Sequence, residues 1–141
     1  MSLPSLSSPA ALGTGRRGEV LSADCPSRNV LQHVTSRWGL LVLLVLMKGT
    51  CRFGELRRNL GGVSEKMLTQ SLRALENDGF VLRQSYDGVP PRVEYSLTST
   101  GIEVALHVEA LTDWIEGNLP RILRDGTATA TSKRRPLQAA R

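Results

Sequence analysis

Apolar residues recur every three or four positions over most of this chain and alternate over one short stretch. The first pattern marks helices that bury one face, and the second marks half-buried strands. Cys25-Pro26 opens the first helix, because proline suits the first helical position and places Cys25 at the cap. This helix runs to about Val34 and turns Val30, Leu31 and Val34 inward. Thr35 or Ser36 caps a second helix, Arg37 to Lys48, and Gly49 ends it. Its run Leu40–Leu46 is apolar on every side and so forms the buried centre. After an extended Thr50-Cys51-Arg52, a third helix from Phe53 to Leu60 points Phe53, Leu56 and Leu60 inward. Glu55, Arg57 and Arg58 face outward.

Gly61-Gly62 breaks that helix, and Ser64 caps the next by accepting an orphan first-turn amide. Val63 and Leu68 have the spacing of a hydrophobic staple. Leu68, Leu72 and Leu75 share one face until Gly79 supplies the left-handed residue that ends the helix. The period then changes. Phe80–Ser85 and Arg92–Leu97 alternate as antiparallel strands about the turn Tyr86-Asp87-Gly88-Val89-Pro90-Pro91. Thr98 caps a last helix expected to reach about Asn118, with Pro120 forbidding more. It carries a stripe of Val104, Val108, Leu111 and Ile115, and a second apolar face at Ile102 and Leu106 with Trp114 between. That is more apolar surface than docking on one small domain uses, and it predicts a two-fold subunit interface.

Helix, Gly-Gly turn, helix and hairpin in this order describe a winged helix-turn-helix. The expected fold is mainly α with a small antiparallel β-hairpin, carrying added N- and C-terminal dimerisation helices over residues 25–120. Residues 1–24, rich in Ser, Pro, Gly and Ala, are expected to be a disordered tail, and residues 121–141 a basic, disordered one.

On the Ser64 helix, Lys66, Gln70, Arg73 and Asn77 lie opposite the leucines and within about 60° of one another. Such a face suits a DNA major groove, where Arg and Lys pair with guanine and Gln and Asn with adenine. Lys66, Gln70 and Arg73 are therefore predicted base readers, with Ser64 and Thr69 beside the backbone. Arg57 and Arg58 on the preceding helix are predicted phosphate contacts. Arg92, stiffened by Pro90-Pro91, is the predicted contact of the wing.

The formal charge of +5 comes from the ends of the chain; between Cys25 and Pro120 the charges balance. They are also segregated, since every basic residue of that span lies at or before Arg92, while Thr98–Leu119 carries Glu103, Glu109, Asp113 and Glu116. One half is thus suited to face phosphate while the acidic helix points away. Cys25 and Cys51 have no metal-ligand spacing with His33 or His107, and no catalytic constellation is present. No metal, cofactor or enzymatic activity is expected. The two histidines, Trp38 and Trp114 read as packing residues. Residues 1–15 lack a secretory leader, and Trp38–Met47 is far shorter than the ~20 residues that span a bilayer. A soluble cytoplasmic protein without a membrane partner is expected.

Several linked pieces resemble the HxlR-type family of bacterial winged-helix transcription regulators. They are Cys25-Pro26, Trp38 opening the apolar helix, Arg52-Phe53-Gly54-Glu55-Leu56-Arg57-Arg58, and Gly62-Val63-Ser64-Glu65-Lys66-Met67-Leu68-Thr69. Leu75-Glu76-Asn77-Asp78-Gly79-Phe80 and Pro90-Pro91-Arg92-Val93-Glu94-Tyr95-Ser96-Leu97-Thr98 complete the set. The resemblance covers Cys25 to about Leu119; Val63 and Phe80 stand where the family usually has other aliphatic residues. It implies a homodimer on double-stranded operator DNA, often near its own gene. It also implies that a cysteine near the first helix senses oxidants, quinones or aldehydes in some relatives.

Cys25 is the candidate for that role. A thiol at a helix N-terminus meets the positive end of the helix dipole, which favours thiolate; Arg28 acts in the same direction and Asp24 against it. The alternative for Cys25 is a small residue wedged between the first helix and the dimer helices. A partner thiol is left open among Cys51, the other subunit's Cys25 and a small cellular thiol. Two other function classes compete with DNA reading: a winged helix used for protein docking, and a thiol enzyme built on Cys25. Lys66, Gln70 and Arg73 on the outer face argue against the first, and the missing His or resolving Cys at motif spacing against the second.

Overall fold

Leu43, Leu56, Leu68 and Leu75 are wholly shielded from solvent, and they come from three successive helices of the predicted core. The structure, a computed structural model, describes residues 19–133, and side chains from residue 20 to residue 127. The elements in chain order are α1 (Pro26–Thr35), α2 (Arg37–Leu46), β1 (Cys51–Arg52), α3 (Phe53–Asn59), α4 (Glu65–Asn77), β2 (Val81–Tyr86), β3 (Arg92–Leu97) and α5 (Ser99–Lys133). A single 3-10 turn, Glu19–Leu21, precedes them. The predicted tail falls partly outside the described residues, as 1–18 and 134–141 both do. The chain divides into two units, one ending at Val108 and one beginning at Glu109.

In the first unit, α2 buries Gly39, Val42, Leu43 and Leu46 and stands at the centre of the core, as its all-round apolarity predicts. Ser36 caps it, its hydroxyl accepting from the Gly39 amide at 3.1 Å. α1 contributes Val34 to the core, but Leu31 is half-exposed. Leu31 lies about 60° round the helix from Val34, which carries it past the edge of the core.

The sheet has three strands rather than two, in the order β1-β3-β2, all antiparallel. β1 is only two residues long, and pairs Cys51 with Tyr95 and Arg52 with Glu94. The hairpin register, Val81 opposite Leu97 through Tyr86 opposite Arg92, places Val81, Arg83, Tyr95 and Leu97 on one face of the sheet.

Two caps hold α4 between the core and the sheet. The Ser64 hydroxyl accepts from the Met67 amide at 3.1 Å. At the other end Phe80 N–H donates to Leu75 O and Gly79 N–H to Glu76 O, with Gly79 at φ +87°. That pairing satisfies the last carbonyls and needs a residue without a Cβ penalty at position 79.

Thr98 joins the end of α4 to the start of α5. Its hydroxyl donates to Gly79 O at 2.6 Å and accepts from Gly101 N–H at 2.9 Å, and its amide donates to Phe80 O at 3.0 Å. Gly101 packs so closely that a Cβ there would sit 2.0 Å from Phe80 O. Gly101→Ala is therefore expected to cost about 1–3 kcal/mol through overpacking. A lower urea midpoint with an unchanged slope is the expected reading; an unshifted midpoint would remove the close approach from the account.

The second unit continues α5 past Val108. The helix does not stop before Pro120 but runs through it to Lys133, so the expected boundary at residue 120 is corrected. Proline removes one N–H and crowds the carbonyl four residues back, that of Glu116. Glu116 and Gly117 are exposed, so that carbonyl lies on a solvent-facing stretch. No single helix is long and apolar enough to cross a membrane, among the described residues.

Candidate nucleic-acid interface

α4 is a helix with two chemically opposed faces. Leu68, Leu72 and Leu75 are buried, and Lys66, Gln70, Arg73 and Asn77 are exposed along the opposite side. Thr69 is half-buried beside them. Gly62, at φ +89°, forms the turn that carries α3 into α4, and the Val63 amide donates to Leu60 O across it. Val63 and Leu60 are both buried, so the turn is bolted to the core and α4 leaves it at a fixed angle.

Lys66, Thr69, Gln70 and Arg73 line one open cleft of about 750 Å³, closed on its far side by Arg83, Val93 and Tyr95 of the sheet. Ser64 stands at the mouth of the helix with its oxygen already accepting from Met67. Arg57 and Arg58 are exposed in the last turn of α3, adjoining the turn into α4. Arg92 is placed differently. Its guanidinium lies 3.3 Å from Glu94 Oε2 and 4.8 Å from the Tyr86 ring centroid, which holds it beside the turn of the wing.

Two arginines that the sequence pattern did not single out also stand beside α4. Arg83 sits at an inward strand position, two residues after buried Val81 and opposite buried Tyr95. A charge at such a position was the available signal. Arg37, at the first residue of α2, lines a second cleft of about 490 Å³ on the other flank of α4, with Trp38, Met67, Gln70 and Ser71.

His33, expected as a packing residue, also has a polar partner. Its Nδ1 lies 2.7 Å from Asp78 Oδ2, which ties the end of α1 to the C-cap of α4. Cys25 takes the N-cap of α1 as predicted, and is buried with its sulfur 2.8 Å from the Ser27 hydroxyl. Arg28 Nη1 donates to Leu21 O at 3.2 Å. Partial burial, foremost, and the Glu55 carboxylate push the Cys51 thiol above its ordinary range, so it stays protonated near neutral pH. No group of three or more His, Cys, Asp and Glu is placed to hold a metal, among the described residues.

The predicted subunit stripe is used in two ways. Val108 is buried and Val104 packs against the same core, so the expectation that Val108 faces a partner is corrected: Val108 closes the core of its own chain. Leu111 and Ile115, in the second unit, are 51% and 42% exposed.

Residues 33–123 match the model of a family described as HxlR-like helix-turn-helix. The chain is 60% identical over 108 residues to YtfH of Escherichia coli strain K12, an HTH-type transcriptional regulator, covering 77% of this chain and 86% of that protein. The solved structure of the transcriptional regulator YtfH from Salmonella typhimurium is similar at TM-score 0.71 and 62% identity, over 74% of this chain and 93% of that one. The redox regulator HypR in its oxidized form is similar at TM-score 0.60 and 40% identity, over 67% and 97% of the two chains.

Proposed function

We propose, from the premise that this chain belongs to the HxlR-like helix-turn-helix family and is a DNA-binding transcriptional regulator, that it reads operator DNA as a homodimer through α4. The observation that carries this reading is the exposed arc of Lys66, Gln70 and Arg73 over a buried leucine seam, on a helix capped at both ends. A rigid helix with such an arc fits the width of a major groove and offers donors and acceptors to base edges. Thr69 and Ser64 lie beside the arc, and Arg57 and Arg58 on α3 take the phosphates that bound it. Arg92 contributes from beside the turn of the wing. Such a regulator works with the chromosome, in the cytoplasm, and carries out no chemistry of its own.

In the dimer, Leu111 and Ile115 of one protomer cover those of its partner, so that two copies of α4 meet half-sites about one helical turn apart. Mobility shift of the DNA upstream of its own gene tests the whole reading. A retarded complex that survives excess random duplex is expected. Equal competition by random duplex would contradict it.

The likeness to a redox regulator supports a further part of the reading, in which oxidation of Cys25 alters operator affinity. Cys25 is far from the arc in sequence, so its oxidation acts by shifting α1, which His33 links to Asp78 at the end of α4. Because the sulfur is buried, reagents reach it only when the start of α1 opens. Mild oxidation is expected to change operator affinity in the wild type and to leave Cys25→Ser unchanged. If oxidation shifts both proteins equally, or neither, Cys25 is structural.

A further inference from the structure

Gln70 lines both of the clefts that flank α4, and so marks the ridge of the helix that faces outward between them. Each cleft holds one exposed arginine from outside α4: Arg83 of β2 on the sheet side and Arg37 of α2 on the other. A major groove is about 12 Å wide and is walled by the two sugar–phosphate backbones. A helix entering with Gln70 foremost therefore brings one flank toward each wall. We propose that Arg37 and Arg83 are phosphate contacts on opposite strands, a clamp across the groove that α4 enters. This rests on the reading that α4 reads the major groove, and adds two residues outside the predicted interface.

The electrostatics favour these two over the arginine of the wing. Arg92 shares its charge with Glu94 at 3.3 Å, whereas Arg37 and Arg83 form no ion pair among the described residues. The Arg83 guanidinium meets only the neutral Ser85 hydroxyl, at 3.4 Å. That of Arg37 lies 5.5 Å from the Trp38 ring centroid. A guanidinium supported on an aromatic ring keeps N–H groups for the bidentate pairing that phosphate accepts. The positive end of α2, where Arg37 stands, acts in the same direction.

The test uses the full-length protein, the operator duplex and a random duplex, with affinity measured between about 50 and about 200 mM salt. Hydroxyl-radical footprints of each strand accompany it. Arg37→Ala and Arg83→Ala should each remove one phosphate contact per protomer, lowering the slope of log K against log salt by about two units for the dimer, and should weaken both duplexes alike. Arg37→Lys and Arg83→Lys should keep the wild-type slope, which separates lost charge from lost folding. Within each half-site the two alanine variants should lose protection on opposite strands. An unchanged slope, loss at one base position only, or lost protection on the same strand of a half-site would overturn the clamp. Failure of the wild type to bind any duplex would instead overturn the reading of α4 itself.

Discussion

Replacing Leu111 with Asp is expected to turn the dimer into monomers and to lower operator affinity by roughly 10²–10⁴-fold, the gain that linking two binding modules supplies. Leu111 is 51% exposed and Ile115 42%, in the unit that begins at Glu109. They continue the spacing of Val104 and Val108, which the first unit consumes in its own core. Exposed on one stripe of the helix, these side chains form an apolar surface that a second copy is suited to bury. A charge placed in its middle must be desolvated without a partner, which an interface does not tolerate. Because Leu111 lies outside the core cluster, the variant should fold normally. Sedimentation gives the check: a dimer at micromolar concentration for wild type and a monomer for Leu111→Asp. A monomeric wild type would remove the dimer from the account.

Arg73→Ala has the next largest expected effect, about 1–3 kcal/mol at the operator, or roughly 5- to 150-fold in affinity. Arg73 stands one turn beyond Gln70 on the same exposed arc, with Leu72 buried on its inner side. Caps at both ends and the leucine seam keep α4 from shifting to compensate. The loss should fall on the operator and spare random DNA, and discrimination should relax at one base position. Equal loss on both would make Arg73 a phosphate contact like those proposed for Arg37 and Arg83.

What was legible in the chain was what depends on neighbours in sequence. Ser64 and Gly79 bracket α4 by local hydrogen bonding and backbone geometry, so the helix and its polar arc follow from a short window. β1 was not legible as a strand. It is two residues long, and its partner β3 lies about forty positions away, so periodicity carries no trace of the pairing. The same holds for His33 and Asp78, 45 residues apart, and for Gly101 against Phe80. Arg37 and Arg83 belong to elements whose local patterns say nothing of α4; only packing brings them to its flanks. Pro120 misled for another reason. The rule that proline breaks a helix assumes that the lost hydrogen bond goes unanswered, and here the carbonyl concerned lies on a solvent-facing stretch.

Selection of bound fragments from random duplex, using the full-length protein at physiological salt, tests the central claim most directly. The account predicts a two-fold symmetric site with half-sites about one helical turn apart, bound at least about 10³-fold more tightly than random sequence. It also predicts that Lys66→Ala, Gln70→Ala and Arg73→Ala each alter the selected half-site at their own positions. Recovery of no preferred sequence, or of the same site by all three variants, would contradict the reading of α4 as the element that recognises DNA.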